Sequence, residues 1–373
     1  MQTEPFHIER FFASYEFSTP HLLAVSDCES MTVGNLLELE PGARAALENV
    51  WLGYTPSEGG EALRDAVAAT VPGLLADHVL VHAAGVEVIY TLAHAVLVPG
   101  DHAVVQAPCY QALRSAPAMA GAQVDLWVGR PREGVWRWDP DVLEALLRPE
   151  TRLVVINTPH NPTGHHFGLE ELERVVAMCG SRGIQLFVDE AYRGTEHQPG
   201  GRLPSVTELS EDAAALGLLS KAYGLPGLRL GWLATRNDEL RERAARVKDF
   251  TTICAPATAE FLGALALRHS DTLLERNRER LVRNRRALGH FMSRHSHRFA
   301  WEEPRAGSVC FPVLRQGNAE ALCRRVREEA GVLLAPGTLF DSGEEAFRIG
   351  YGREAFGEGL AVFDQWLEEW TPC

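Results

Sequence analysis

Lysine is nearly absent from this chain. Of thirty-six Lys and Arg residues in 373, only Lys221 and Lys248 are lysine. A guanidinium stays protonated in water and cannot attack a carbonyl, whereas a primary amine can lose its proton and do so. Lys221 stands in LSKAYGLPGLRLGW (219–232), between a serine and a glycine-proline loop. An amine kept at such a place, in a chain that otherwise uses arginine, suggests chemistry that arginine cannot supply.

Other absences narrow the field. There is no CxxC pair, and the seven cysteines (28, 109, 179, 254, 310, 323, 373) are scattered and odd in number, which fits a reducing, cytoplasmic setting. No apolar run is long enough to cross a bilayer, so no membrane partner is expected. The start, MQTEPFHIER, lacks the basic and apolar regions of a signal peptide. No fixed-period repeat or low-complexity tract is present. The formal net charge of −14 argues against nucleic acid. The one basic stretch, RNRERLVRNRR (276–286), holds a glutamate and helical spacing and reads as a solvated helix face.

What remains is ordinary globular material, 46% apolar and 23% charged, with length for about two domains. Short β-branched runs alternate with helical patterns. The expected strands are 78–82, 102–106, 123–127, 152–157, 184–190, 214–220 and 230–235, several apolar throughout, as strands covered on both faces are. Helical patterns such as EVIYTLAHAVLV and GLEELERVVAMCGSRG lie between them. The expected fold is α/β: a large domain with a mostly parallel seven-stranded sheet covered by helices, over 36–280. A smaller α+β domain would combine 1–35 with 281–373. Sites in such sheets form at the C-terminal strand ends.

Five strand ends carry unusual residues. AAGVE opens a helix with small residues, where free amides bind phosphate. APCYQAL sets Tyr110 just past a strand, able to stack on a flat ring. TPHNPTG aims Asn161 with two X-Pro steps and a glycine. DEAYRG puts Asp189 and Tyr192 three apart at an apolar strand end, where a carboxylate needs a partner. SKAYGLPGLR follows its strand with Ser220, Lys221 and, eight residues on, Arg229. Each alone reads equally as a turn, core or rim feature. His160, His165 and His166 lack a further ligand at metal spacing, so no metal is expected. One ligand would use all five ends: a flat, phosphorylated pyridine aldehyde, pyridoxal 5'-phosphate (PLP).

The order GYTPSEGGEALR, AAGVE, PCY, NPTG, DEAY, SKAYGLPGLRLGW, FRIG resembles the class I/II aminotransferases of PLP fold type I (the aspartate aminotransferase-like superfamily) over nearly the whole chain. The resemblance implies that Lys221 is the Schiff-base lysine and proton shuttle and that Asp189 pairs with the ring nitrogen. It implies that Tyr192 and Asn161 bind the ring oxygen and that Tyr110 stacks. Ala84, Gly85 and Val86 would offer amides to the phosphate, with Ser220 and Arg229 beside it. Arg348 would grip the substrate α-carboxylate, with Asn161 near the substrate. Tyr54 would reach the phosphate of a partner subunit, which implies a homodimer.

Three features depart from the pattern. Leu218 stands where related enzymes often have serine or threonine, and Ala84 and Val86 stand where hydroxyl residues or glutamine are common. The GNLLEL segment after Met31 falls where family members contact substrate. A narrower likeness, in the N-terminal pattern and SKAYGLPGLR, is to PLP enzymes of the capreomycidine synthase type, which cyclise an arginine derivative.

The expected activity is an aminotransferase moving an amino group between an L-amino acid and a 2-oxo acid. The alternative is a PLP-dependent lyase or cyclase, such as a C–S β-lyase or capreomycidine synthase-like enzyme, which would share the same residues. A PLP-fold regulator is a third reading, disfavoured by the charge and by the lack of a helix-turn-helix pattern before GYTPSEGG. Side-chain specificity is open, and Trp51 and Trp127 are either pocket or core residues.

Overall fold

The computed structural model describes residues 4–198 and 200–370, so Cys373 and the extreme ends of the chain lie outside the described residues. Seven strands form the central sheet: β1 Val79–His82, β2 His102–Ala107, β3 Gln123–Val128, β4 Thr151–Asn157, β5 Gln185–Asp189, β6 Ala214–Leu218 and β7 Gly231–Thr235. Their order is β1-β7-β6-β5-β4-β2-β3. Only β7 runs antiparallel to its neighbours. All seven expected strands are present, most with ends within one residue of expectation. β6 stops two residues early, where Leu219 N donates to Leu230 O and the chain turns toward Lys221.

The helices used below are α1 His7–Tyr15, α2 Val33–Leu37, α3 Gly85–Val96, α4 Leu169–Gly180, α5 Asp238–Lys248, α6 Ala257–Arg268, α7 Ser270–Arg294, α8 Ala319–Ala330 and α9 Phe356–Glu369. One apolar core lies on each side of the sheet. β1, β4 and β5 alternate between them, so Val79, Val154 and Val188 face one and Leu80, Val155 and Phe187 the other. Strands that bury both faces must be apolar throughout, and this is why they are legible as continuous runs. A third core unites α7, α8, α9 and strand Phe347–Gly350, with Leu23 and Cys28 from the N-terminal segment.

The basic stretch 276–286 does more than face water. Within α7, Asn277, Leu281 and Asn284 are buried, and Asn284 Nδ2 donates to the carbonyls of Tyr351 and Arg353. Arg276 donates to the carbonyls of Glu29 and Ser30. The arginines of this face therefore clamp backbone as well as meeting solvent.

Residues 23–29 thread between strand 347–350 and the loop after β6. Gly350 N donates to Leu23 O (2.7 Å), Glu29 N to Gly352 O (2.9 Å) and Cys28 N to Lys221 O (3.3 Å). The approach is so close that a Cβ on Gly350 would lie 1.6 Å from the Val25 carbonyl oxygen, and one on Gly352 would lie 2.2 Å from that of Asp27. This is the physical reason for both glycines in RIGYG. Gly350→Ala should cost about 3 kcal/mol or more, because backbone rather than a flexible side-chain tip must give way. Urea denaturation of the variant against the parent measures it, and an unchanged midpoint would contradict the packing.

Candidate active site

The parallel strands β1, β2, β4, β5 and β6 all end at one edge of the sheet. Asn157 pairs with Asp189, and Asp189 with Leu216, so these ends are level. The antiparallel β7 starts at the same edge, with Gly231 opposite both His82 and Leu218. Arg229, two residues before β7, is thereby delivered to the place where the other strands finish.

A cavity of about 350 Å³ opens there. It is lined by Ala84, Gly85 and Val86 at the start of α3, and by Tyr110, Asn161, Asp189 and Tyr192. Ser220, Lys221, Arg229 and Arg348 complete the expected set. Eleven of the twelve residues singled out from sequence thus share one cavity. The twelfth, Tyr54, is 87% exposed and lines a separate depression with Thr252 and residues 254–258.

The titratable groups are held by specific contacts. Lys221 Nζ donates to Ser26 Oγ (2.8 Å), and burial lowers the amine's pKa against the pull of Asp27. Burial raises the Asp189 carboxyl to about 6, opposed by the Ala191 amide that Asp189 Oδ1 accepts (3.0 Å) and by Lys221. Tyr192 is buried, its phenol is pushed up by burial, and among the described residues its Oη completes no hydrogen bond, with the Ser26 side chain beside it. Tyr110 Oη donates to Glu9 Oε1 (2.9 Å).

Arg348 is 1% exposed. Its Nη1 donates to Asn161 Oδ1 (2.9 Å), and Nε and Nη2 both donate to Ala24 O. A guanidinium carries five N–H groups, so this one is aimed by three bonds and keeps donors for an incoming carboxylate. Asn161 is aimed in turn by Asn157, whose Oδ1 accepts from Asn161 N (2.6 Å) and whose Nδ2 donates to Asp189 O (2.8 Å). The Asn161 side-chain nitrogen, Nδ2, bonds to nothing among the described residues.

At the turn after β1, Ala84 adopts φ 81°, a region that favours glycine. The next residue, Gly85, is packed so tightly that a Cβ would meet Leu218 Cδ2 at 2.8 Å. The first amides of α3 have no acceptor within the helix and point, with the positive end of its dipole, toward an anion.

These features fit PLP. An unpartnered buried phenol and a free amide suit the ring oxygen, and a buried carboxyl suits a protonated ring nitrogen. The open helix start and Arg229 suit a phosphate. Among the described residues there is no group of three or more His, Cys, Asp or Glu able to hold a metal.

Sequence reasoning missed the contribution of residues 8–27. Ile8, Glu9, Phe12, Glu16, Val25, Ser26 and Asp27 form a further part of the wall. The apolar run LLAV ended by Ser26-Asp27 was the available signal, of the same kind as the strand end before DEAY. Two suggestions are corrected. Trp51 is 80% exposed and neither core nor cavity residue, while Trp127 is core. Residues 33–37 form α2 and do not line the cavity in this chain.

A mostly parallel sheet with a buried amine, carboxyl and anion cradle at its C-terminal edge defines a PLP-dependent enzyme. A family profile described as aminotransferase class I and II matches residues 21–355, and the chain belongs to that family. Its cofactor is accordingly PLP. Capreomycidine synthase of Streptomyces vinaceus is 35% identical over 356 residues, covering 92% of this chain and 89% of that protein. A PLP-dependent aminotransferase from Streptococcus suis 89-1591 superposes with a TM-score of 0.93 at 29% identity, covering all of both chains. The PLP-dependent cyclase OrfR superposes at 0.90 with 30% identity, covering 99% of this chain and 98% of its own.

Because the folded pKa of Asp189 lies above its ordinary value, the apoenzyme loses stability as pH rises from about 4 through about 6. Asp189→Asn removes the charge that must be buried. The variant apoenzyme should be more stable than the parent at pH 7 by up to about 3 kcal/mol, and should match it near pH 4. Denaturation of both apoenzymes at the two pH values tests this, and equal curves at pH 7 would refute it.

Proposed function

We propose that this enzyme transfers an amino group between an L-amino acid and a 2-oxo acid, with Lys221 as the covalent attachment point of the cofactor. The observation that carries this reading is the Lys221 amine, with its lowered pKa, in one cavity with Asp189 and Arg348. When bound, PLP supplies an aldehyde that condenses with amines and a ring that takes up the electron pair from substrate Cα.

The protein's own part follows from its groups. Asp189 would hold a proton on the ring nitrogen, which would turn its burial from a cost into a pairing. Asn161 Nδ2 and Tyr192 Oη would hold the ring oxygen, and Tyr110 would lie against the ring. The amides of Gly85 and Val86, beside Ala84, hold the phosphate with Ser220 and Arg229. Arg348 holds the substrate carboxylate and so orients Cα. Lys221 would take up the substrate Cα proton at Nζ and hold it for return. Such general-base action is worth ~10²–10⁴-fold.

A second reading keeps every residue and changes the product: lyase or cyclase chemistry. It is favoured by the 35% identity to capreomycidine synthase and by the likeness to OrfR.

The cavity lies between the proposed large domain, 36–280, and the proposed small one, 1–35 with 281–373. The separate core of α7, α8 and α9 supports that division. A homodimer completes the picture. Leu52 and Tyr54 line a depression with Thr252 and residues 254–258, and Trp51, Phe250 and Ile253 are further exposed apolar groups on these segments. Glu87 in the first turn of α3 accepts from Thr252 Oγ1 (2.6 Å), which brings this surface to the phosphate end of the cavity. All six described cysteines are free, in keeping with a cytoplasmic setting, and no helix among the described residues is long and apolar enough to cross a membrane.

Two measurements bear on this. The PLP-loaded enzyme is mixed with single amino acids and no acceptor. One equivalent of oxo acid per site, with the cofactor left as its amine, is expected. Continuing release of ammonia or a cyclic product with the aldehyde retained would replace transfer by the second reading. Tyr54→Phe should weaken PLP retention about tenfold while sedimentation still gives a dimer. A monomeric parent, or unchanged retention, would remove Tyr54 from the site.

A further inference from the structure

The Lys221 amine is held by a neutral oxygen, although carboxylates surround it. Nζ donates to Ser26 Oγ (2.8 Å). Burial lowers its pKa and Arg348 adds to the fall, while Asp27, Glu9 and Asp189 pull it back up across the cavity. Glu16 faces the amine too, and Arg229 lines the same space. Yet no carboxylate among the described residues forms an ion pair with Nζ. Three of the four are engaged elsewhere: Asp27 by Arg353 Nη2 (2.7 Å), Glu9 by the Tyr110 hydroxyl (2.9 Å) and Asp189 by the Ala191 amide (3.0 Å). The difference matters to a general base. A carboxylate in direct contact favours the charged form of its partner by about one to three pH units. A hydroxyl accepts the same N–H without adding a charge that binds the proton.

Ser26 is fixed by its own backbone. Its carbonyl accepts from Ser308 Oγ (2.7 Å), and two residues on Cys28 N donates to Lys221 O (3.3 Å). The segment thus grips the lysine by main chain and side chain at once. Ser26 is 8% exposed, so bulk water is a weak competitor for the amine. The Tyr192 hydroxyl lies beside Ser26 and completes no hydrogen bond among the described residues. A serine hydroxyl has one hydrogen and two lone pairs. With a lone pair given to Nζ, its hydrogen is left for Tyr192 Oη. The order then runs from Lys221 through Ser26 to Tyr192, each bond polarising the next, and the phenolic hydrogen stays free to donate.

We propose that Ser26 is a positioning residue for both groups: its oxygen holds the free Lys221 amine in a state that readily gives up a proton, and its hydrogen is directed at Tyr192 Oη. The proposal rests on Lys221 as the attachment point of the cofactor and adds the group that governs the amine while it is free.

Because Lys221 and Lys248 are the only lysines, the amine can be followed directly. The full-length apoenzyme is prepared with carbon-13 at lysine Cε, which gives two signals, and Lys221→Arg identifies one. In the parent, the Lys221 signal should titrate below the ordinary lysine value of about 10.4. Ser26→Ala removes the acceptor for the ammonium and leaves the surrounding charges, so the midpoint should fall by about one further unit. Ser26→Thr keeps the hydroxyl and should stay within about half a unit of the parent. The Lys248 signal should not move in either variant, since its ammonium is held by the carbonyls of Ser57 and Ile253. In the PLP-loaded enzyme, the acid limb of the single-turnover rate with an amino acid should shift down with the midpoint. A parent Lys221 that titrates at the ordinary value overturns the proposal without any variant. A midpoint that Ser26→Ala leaves in place or raises, or an acid limb that does not follow it, overturns it as well. Borohydride reduction of the PLP-loaded parent, followed by peptide mass analysis, tests the underlying reading separately. Cofactor fixed on Lys221 together with an unmoved midpoint sinks only the role of Ser26. Cofactor absent from Lys221 sinks both.

Discussion

Two opposite charges buried at one sheet edge, the Asp189 carboxyl and the Lys221 amine, set the terms for everything around them. Burial drives each toward its neutral form. A more easily deprotonated amine and a buried carboxyl short of a cationic partner suit a cofactor that condenses with amines and carries a basic ring nitrogen. The cost of desolvating the pair is offset by few contacts: the Ala191 amide on Asp189 and the Ser26 hydroxyl on Lys221. Ser26 exists at that point only because residues 23–29 are pinned along strand 347–350, and they are pinned only because Gly350 and Gly352 leave room. Arg348, on that same strand, is aimed by Ala24 O from the same segment. The N-terminal segment, the C-terminal strand and the loop that carries Lys221 are therefore one coupled unit.

This coupling explains what could be read from the chain and what could not. The strands were legible because sandwiching a parallel sheet between two cores removes all alternation from its pattern. Their ends were legible because Asp189 and Lys221 are costly residues directly after apolar runs. Arg229 was legible from spacing, and the antiparallel course of β7 supplies the reason it is at the site. Residues 8–27 were not legible. Their place depends on pairing across more than three hundred residues, as with Gly350 N on Leu23 O, and no local period records such a pairing. The exposure of Trp51 was equally hidden, since an exposed tryptophan and one that fills a core look the same in sequence.

The family departures fall where the geometry can absorb them. Ala84 and Val86 bring no hydroxyl, so the proposed anion site has only backbone amides, the α3 dipole, Ser220 and Arg229 to draw on. Leu218 packs against the turn instead of bonding to it, and its methyl group fills the space beside Gly85. The positive φ of Ala84 is strain kept at a functional turn, and a bound anion is the natural recipient of the amides that the turn exposes.

The second lysine answers the remaining half of the question raised by the composition. Lys248 is 1% exposed, and its ammonium donates to Ser57 O (2.6 Å) and Ile253 O. Burial lowers its pKa, and Glu87 opposes that shift more than any other neighbour. Glu87 in turn accepts from Ala83 N (2.6 Å) and Thr252 Oγ1, at the start of α3. Lys248 therefore ties the loop after α5 to the residues following Tyr54, and Glu87 ties that loop to the phosphate turn. A compact ammonium with three divergent donors fits between two carbonyls where a planar guanidinium would need a wider slot. One amine is proposed to react and the other fits its slot by shape, and the surface that Lys248 holds in place carries the tyrosine proposed to complete a second subunit's site.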